Sequence, residues 1–285
     1  MSQDSFIGVD IGGTKISAVR VQNYEIISRS KIDTGASRSA SEIVLSIAQA
    51  IREIMSDDVK AIGIGVPGIL DVVNGMIIGI NNIPAFKNFN LKEALEEFFP
   101  IPIFINNDAN CFVLSEAYFG AGKNYNNIAG ISLGTGTGGG VVINRKVHSG
   151  KLGAAAEFGQ IPYLDGIFEK YCSSEFFERE YNFSGLEAFN LAEKGDEKAL
   201  EAFNQFSEHL GQLITVITYF MAPDAIILGG SISKSFKFIK PGLDKMIQDF
   251  RFPVIGENIN ILKAESKDTG ELGAVALAIS MLQGL

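Results

Sequence analysis

Two glycine-rich turns are the first features of this sequence whose residue types could do chemistry. One runs from Asp10 to Lys15 with the order D-I-G-G-T-K, and the other runs from Gly134 to Gly140 with the order G-T-G-T-G-G-G. Glycine lets the backbone turn sharply and lets a phosphate group reach bare backbone N–H groups. Two such turns in one chain predict a bound nucleotide. The alternative, that both are only tight turns, stays open at this point.

The second turn matches two common nucleotide motifs only in part. Gly134, Gly136 and Gly139 satisfy G-x-G-x-x-G, and Glu157 lies 18 residues beyond Gly139. The dinucleotide fingerprint requires its third glycine to open a helix, whereas a β-branched run begins here at Val141. The protein-kinase glycine loop is excluded because the chain has no H-R-D and no D-F-G. The first turn lacks the G-K-[ST] of a P-loop, which leaves a pair of hairpin phosphate loops.

Short apolar strands flank both turns. Phe6 to Asp10 and Lys15 to Val21 predict a hairpin around the first turn, and Ile128 to Leu133 and Val141 to Ile143 predict another around the second. The two halves of the chain therefore form a weak internal repeat. Further strands are predicted at 61–66, 76–80, 103–105 and 225–228, and helices at 40–55, 91–98, 109–119, 197–219 and 271–283.

The composition excludes several classes of protein. The 285 residues are 46% apolar and 20% charged, and the net charge is −9. This acidic balance argues against a protein that binds nucleic-acid backbones over a broad surface. Two cysteines are too few for a disulfide framework, and no run of 18 apolar residues is present. Since Met1 to Ser5 also lack a basic targeting segment, we expect a cytoplasmic protein with no nucleic-acid or membrane partner.

A series of motifs in a fixed order carries a more specific resemblance. They are D-I-G-G-T-K, Pro67-Gly68 followed by Asp71, N-N-I-P, N-N-D-A-N, L-G-T-G-T-G-G-G and a late D-A-I-I-L-G-G at 224–230. In this order they resemble the ROK family of sugar kinases, which belongs to the actin, hexokinase and Hsp70 superfamily. The similarity covers residue 8 to about residue 173 and resumes at residue 224.

The resemblance implies an α/β protein with the two-lobed actin-like ATPase (ribonuclease H-like) fold and with nucleotide and sugar in the cleft between the lobes. The small lobe would comprise residues 1–108 and 266–285, and the large lobe residues 109–265. ATP and Mg²⁺ are the implied cofactors, with Asp10 orienting Mg²⁺ through water and Gly229 and Gly230 approaching the adenosine. The ATP phosphates are expected at Asp10, Gly12, Gly13, Thr14, Lys15, Gly134, Thr135 and Gly136.

A kinase that acts on a hydroxyl needs a group that holds and deprotonates it. Asp108 follows a predicted strand and precedes a predicted helix, and from there its side chain can project into a cleft. The resemblance implies that Asp108 is the general base and that Asn107 binds sugar hydroxyls. The alternative is that Asp108 only caps the following helix.

The resemblance also implies that Glu157 and Glu169 hold sugar hydroxyls. Further sugar-binding candidates are Gly68 and one of Asn81 or Asn82, of which Asn82 is the preferred one. The family motif E-x-G-H ends here in Gln160, where zinc-bearing members have a histidine that binds the metal and touches the sugar. Those members also have three cysteines in the loop before the second glutamate, whereas none lies there in this chain. No structural zinc is therefore expected, because a zinc site needs four ligands.

The implied reaction is transfer of the γ-phosphate of Mg-ATP to a hexose hydroxyl, most simply glucose to glucose 6-phosphate. N-acetylmannosamine and fructose are alternative acceptors, since Gln160 can change the preference of the sugar site. The alternative from another class is a sugar-binding regulatory protein without catalysis. We expect no such regulator, because the first phosphate strand begins at Phe6 and leaves no room for a preceding DNA-binding helix-turn-helix. The resemblance further implies a homodimer or a larger homo-oligomer.

Overall fold

The structure is a computed structural model that describes residues 4–282. The terminal residues 1–3 and 283–285, which were assigned to the predicted small lobe, lie outside the described residues. The strands are β1 (Ser5–Ile11), β2 (Lys15–Gln22), β3 (Glu25–Asp33), β4 (Val59–Gly65), β5 (Ile69–Asp71), β6 (Met76–Gly79), β7 (Phe89–Asn90), β8 (Ile103–Asn106), β9 (Ile128–Leu133), β10 (Thr137–Ile143), β11 (Lys146–Val147), β12 (Pro162–Tyr163), β13 (Gly166–Ile167), β14 (Ala225–Gly229) and β15 (Asn260–Lys263). The helices are α1 (Ala40–Arg52), α2 (Leu91–Glu96), α3 (Asp108–Phe119), α4 (Glu169–Cys172), α5 (Ser174–Tyr181), α6 (Gly185–Ala192), α7 (Glu197–Met221), α8 (Phe236–Gln248), α9 (Pro253–Glu257) and α10 (Thr269–Leu282).

The chain divides into two compact units. Within the described residues, the first unit comprises 4–124, 140–155 and 265–282, and the second comprises 125–139 and 156–264. This division groups α3 with the first unit, whereas the lobes expected from the sequence assigned residues 109–119 to the large lobe. The lobe boundaries at 108 and 265 stay a prediction.

The first unit is built on a mixed five-stranded sheet with the order β3-β2-β1-β4-β8. The predicted hairpin is confirmed, because β1 and β2 pair antiparallel with Asp10 opposite Ser17. β4 and β8 continue the sheet in parallel with β1. The sequence analysis missed β3, an edge strand whose side chains are mostly exposed and which therefore lacks a strong apolar pattern.

Helix α10 packs closely on this sheet and on α3. It is apolar on nearly all sides, which is the pattern of a helix surrounded by protein. A Cβ atom at Gly63 of β4 would overlap the carbonyl oxygen of Ala274, and one at Gly273 would overlap the carbonyl oxygen of Cys111 on α3. Glycine at these two positions lets α10 approach strand β4 and helix α3 more closely than side chains would allow.

The second unit contains the parallel strands β9, β14 and β15, with β14 in the middle. The second glycine turn follows β9, and β10 begins at Thr137 rather than at the predicted Val141. The run of glycines after the turn is thus a strand. The reason is packing, because a Cβ at Gly139 would overlap the carbonyl oxygen of Ala156 and the ring of Phe158.

Local sequence explains where the main helices begin. At α1 the Ser39 side chain accepts from the Glu42 N–H while the Glu42 carboxylate accepts from the Ser39 N–H, which is a capping box. The Asp196 carboxylate accepts from the Ala199 N–H at 2.9 Å and caps α7. Within residues 4–282, no helix is both long enough and apolar enough for a membrane span.

The contact between Gly63 and α10 predicts a sharp difference between two glycine substitutions. Gly63→Ala should lower the free energy of unfolding by about 2–3 kcal/mol, because the added methyl group has no space against Ala274. Gly79→Ala is the matched control, since a Cβ at Gly79 meets nothing within 4 Å and should change stability by no more than about 0.5 kcal/mol. Urea unfolding measures both, and equal effects would contradict the packing described here.

Candidate active site

The residues expected to bind ligands lie in both units. The first unit contains Asp10, Gly12, Gly13, Thr14, Lys15, Gly68, Asn82, Asn107 and Asp108. The second unit contains Gly134, Thr135, Gly136, Glu157, Gln160, Glu169, Gly229 and Gly230.

The first glycine turn links β1 to β2 directly after Asp10. The Gly12 N–H donates to the Lys15 carbonyl oxygen at 2.9 Å, and the Thr34 hydroxyl donates to the Gly12 carbonyl oxygen at 2.6 Å. The N–H groups of Gly13 and Thr14 have no protein acceptor within residues 4–282. They are therefore available to an anionic ligand such as a phosphate.

The Asp10 carboxyl lies against the beginning of α10. A Cβ atom at Gly270 would be 2.6 Å from Cγ of Asp10, so the helix approaches this carboxyl at a position without a side chain. Burial is the main cause that raises the pKa of Asp10 from 3.8 to about 6. The charge of Glu271 adds to this effect, Lys15 opposes it, and Asp108 adds a smaller contribution.

Glu271 is a member of the site that the sequence analysis missed. It lies in the first turn of α10 and is only 8% exposed, and its carboxylate makes no hydrogen bond or ion pair within residues 4–282. The sequence feature that could have indicated Glu271 is its position as the single charged residue of the mostly apolar segment T-G-E-L-G-A-V-A-L-A.

Asp108 is the first residue of α3, and the cap of this helix is Asn107. The Asn107 side chain accepts from the Asn110 N–H at 2.8 Å, so the alternative that Asp108 serves only as the cap is wrong. Asp108 is exposed, and its Oδ1 accepts from the Ala109 N–H at 2.9 Å. No donor to its Oδ2 is present within the described residues. One oxygen of the carboxylate is thus held in place, and the other is left to accept a hydrogen bond from a ligand.

Buried asparagines hold the chain on both sides of Asp108. Asn110 donates to the Asn106 side chain at 2.9 Å, and Asn106 donates to the Ser149 hydroxyl at 2.9 Å. The Asn107 amide donates to the Gly153 carbonyl oxygen at 3.3 Å, which uses part of the capacity that the sequence analysis assigned to a sugar. The network fixes the beginning of α3 relative to the 149–153 segment.

Gly68 and Asn82 line one cavity of about 380 Å³ in the first unit. Its other lining residues are Pro67, Ile69, Gly79, Ile80, Asn81 and Lys87. Gly68 has a φ of 114°, and a Cβ there would overlap the Gly79 carbonyl oxygen, so only glycine fits. A Cβ at Gly13 would lie 3.1 Å from Cβ of Asn82, so the first glycine turn adjoins this cavity.

The second glycine turn is closed by a hydrogen bond from the Gly134 N–H to the Gly136 carbonyl oxygen at 3.0 Å. Thr135, at its tip, is exposed. Glu169 begins α4 and contacts this turn, because its Oε2 accepts from the Thr137 N–H at 2.9 Å. This hydrogen bond between Thr137 and Glu169 was not predicted from the sequence.

The remaining candidates of the second unit lie on short segments beside these strands. Glu157 and Gln160 are exposed; Glu157 directly precedes the short 3₁₀ turn Phe158–Gln160, and Gln160 is its last residue. Gly229 ends β14, and Gly230 follows with a φ of 78°. A Cβ at Gly230 would overlap the backbone of Leu133, so this glycine pair packs on the strand that leads into the second turn.

The residues around Asp10 fit a magnesium ion. The carboxylates of Asp10 and Asp108 are hard oxygen donors, and Mg²⁺ in kinases is bound by one or two carboxylates together with substrate phosphates and water. The raised pKa of Asp10 indicates a carboxylate whose negative charge the protein does not fully offset.

Within residues 4–282, no group of three or more His, Cys, Asp or Glu residues is arranged to hold a metal ion. The absence of structural zinc stays a prediction.

Comparisons with known proteins agree on one family. The profile of the ROK family matches residues 6–281. The chain is 27% identical to a glucokinase of Thermotoga maritima over the full length of both proteins, and 30% identical to an N-acetylgalactosamine kinase of a Shewanella species over 80% of this chain and 82% of that one. A ROK glucokinase of Streptomyces griseus, solved with glucose and AMPPNP, is 28% identical and has a TM-score of 0.74, with 96% of this chain and 99% of that chain covered. These neighbours have the actin-like ATPase fold, which is therefore the fold of this chain.

The raised pKa of Asp10 predicts a pH dependence of stability in the absence of ligands. Between about pH 4 and 6 the folded protein keeps a proton on Asp10 that the unfolded chain has lost, so stability falls as the pH rises through this window. At pH 7, Asp10→Asn should therefore be more stable than the unsubstituted protein by up to about 3 kcal/mol. Urea unfolding from pH 4 to pH 7 measures the difference, which should vanish near pH 4. A difference that grows toward pH 4 would contradict the assigned environment.

Proposed function

The chain belongs to the ROK family and is an ATP-dependent sugar kinase, and from this premise we propose that it phosphorylates glucose with Asp108 as the general base. The observation that carries the proposal is the Asp108 carboxylate at the first position of α3. One oxygen is held by the Ala109 N–H, and the other has no donor within residues 4–282. The glucokinases among the relatives favour glucose as the acceptor.

The phosphoryl transfer assigns a clear role to this carboxylate. As the sugar hydroxyl oxygen forms its bond to the γ-phosphorus, the bond from that phosphorus to the β,γ-bridging oxygen breaks and ADP leaves. The hydroxyl O–H bond breaks in the same step, and Asp108 accepts the proton. Because Asn107 caps α3 and the Asn106 and Asn110 side chains are bonded behind it, the carboxylate is held in place before the sugar arrives.

Backbone N–H groups and one cation are proposed to hold the ATP phosphates. In the first unit these are the N–H groups of Gly13 and Thr14 and the exposed ammonium of Lys15. In the second unit the turn formed by Gly134, Thr135 and Gly136 provides the corresponding donors, and Gly229 and Gly230 are proposed to lie beside the adenosine. Mg²⁺, held by Asp10, would neutralise charge on the transferred phosphate.

The sugar is proposed to bind at two sets of residues, one in each unit. The cavity lined by Gly68 and Asn82, together with Asn107, is the set in the first unit. Glu157, Gln160 and Glu169 are the set in the second unit. Gln160 is the residue most able to change the acceptor, and the 30% identical N-acetylgalactosamine kinase makes an N-acetylhexosamine the second candidate.

A panel of acceptors tests the substrate. ADP release from Mg-ATP would be measured with glucose, mannose, fructose, N-acetylglucosamine, N-acetylgalactosamine and N-acetylmannosamine, each against a control without sugar. The highest kcat/KM is expected for glucose. A higher kcat/KM for an N-acetylhexosamine would overturn the glucose assignment and would leave the sugar-kinase reaction in place.

Replacement of the proposed base tests the mechanism. Asp108→Asn should lower kcat by a factor of about 10² to 10⁴, because the amide cannot accept the hydroxyl proton. The dissociation constants for glucose and AMPPNP, measured by calorimetry, should change less than about threefold. The substituted asparagine has nearly the same size as aspartate, and Asn107 still caps α3. Asp71→Asn is the control, because this carboxylate accepts hydrogen bonds from Val73 and Asn74 within the β5–β6 turn. Near-normal turnover in Asp108→Asn would exclude Asp108 as the base.

A further inference from the structure

Thr137 of the second unit connects the second glycine turn to helix α4. It follows Gly136 of the turn and begins β10. Its backbone N–H donates to Oε2 of Glu169 at 2.9 Å, and its hydroxyl donates to the Cys172 carbonyl oxygen at 2.9 Å. Glu169 and Cys172 are the first and last residues of α4, so this helix is fixed to the end of the turn at two points.

The segment with Glu157 and Gln160 packs on the same residue. A Cβ atom at Gly159 would overlap the carbonyl oxygen of Thr137, which leaves no space between this segment and β10. All polar groups of Thr137 are therefore in contact with a segment that contains a proposed sugar ligand. Because such packing leaves no free volume, a shift of either segment must move the Thr137 peptide.

The Glu169 carboxylate has one oxygen on the turn and one oxygen left for a ligand. A Cβ at Gly136 would lie 2.6 Å from Oε2 of Glu169, so this carboxylate lies directly against the glycine turn. Oε2 accepts from Thr137, which leaves Oε1 to accept from a sugar hydroxyl. A sugar on Oε1 fixes the carboxylate and with it the Thr137 N–H.

Helix α4 is held firmly on its other side by aromatic rings. The Tyr171 ring lies 5.3 Å from the ring of Tyr163 and 4.8 Å from the ring of His209, and Tyr163 stacks on Phe168 at 4.1 Å between centroids. The Tyr163 hydroxyl and Nδ1 of His209 are 3.1 Å apart, within hydrogen-bond distance. These ring contacts oppose a movement of α4 away from the glycine turn.

We propose that the Thr137 peptide and the Glu169 carboxylate couple the two ligands, so that bound sugar strengthens the binding of ATP phosphates at the second glycine turn. Glu169 is then both a sugar ligand and a positioning residue for the turn. By thermodynamic linkage, the nucleotide strengthens sugar binding by the same factor. The inference rests on the proposed sugar-kinase function and names the contact through which the two sites communicate.

The test measures the AMPPNP dissociation constant by calorimetry with and without saturating sugar. The sugar is the panel member that binds most tightly, and its own binding is measured first. In the unsubstituted protein, sugar should tighten AMPPNP binding by about fivefold or more. Glu169→Gln should reduce this factor to below about twofold, because a neutral amide oxygen is a weaker acceptor for the Thr137 N–H.

Two further variants keep the test decisive. Thr137→Val removes the hydroxyl bond to Cys172, leaves every proposed ligand side chain in place, and should also reduce the coupling factor. Lys170→Ala is the matched control on α4 and should retain the full factor. Thermal unfolding verifies that each variant is folded.

The outcomes separate this inference from the proposed function. Sugar binding without any effect on AMPPNP affinity in the unsubstituted protein would overturn the coupling and leave the kinase function intact. Full coupling in both Glu169→Gln and Thr137→Val would overturn the assigned contact. A failure of every sugar to bind would overturn the proposed function and this inference together.

Discussion

The close approach of α10 to the first sheet and to α3 is the constraint on which the candidate site of the first unit depends. At Gly63 and Gly273 the backbones meet without an intervening side chain, and at Gly270 the helix reaches the Asp10 carboxyl. This packing sets the distance between β1, which ends with Asp10 and the first turn, and α3, which begins with Asp108. It also buries Glu271 beside Asp10, and burial together with that charge raises the pKa of Asp10. The environment of the Asp10 carboxyl therefore follows from how closely one apolar helix packs.

The second unit uses glycine for a different purpose. There Gly136 lies against the Glu169 carboxylate, and Gly159 lies so close to the Thr137 carbonyl oxygen that a Cβ atom would overlap it. The helix and the 3₁₀ turn that present the proposed sugar ligands thus contact the strand that leaves the second glycine turn. Each unit places its proposed sugar-binding residues next to its glycine turn, since Gly13 adjoins Asn82 in the first unit in the same way. A kinase needs this adjacency, because the hydroxyl must meet the terminal phosphate.

The sequence predicted those parts of the fold and the site that follow from local pattern. The β1–β2 hairpin is confirmed because alternating apolar residues and a glycine turn determine it locally. The beginning of β10 could not be predicted, since glycines at 138–140 favour a turn until the packing of Phe158 against Gly139 is known. Asp108 was a reasonable cap candidate, and only the hydrogen bond of Asn107 to the Asn110 N–H shows which residue caps α3. The environment of Glu271 was equally invisible, because it depends on which residues lie across from α10 in space.

The transfer of phosphate from ATP to a sugar hydroxyl is the activity on which every proposed residue role depends. The most direct measurement is the amount of ADP and of sugar phosphate formed from Mg-ATP and glucose, compared with ADP formed without sugar. We expect one sugar phosphate for each ADP and a negligible rate without an acceptor. ADP formed at the same rate with and without every sugar would mean that water is the acceptor, and it would contradict the account.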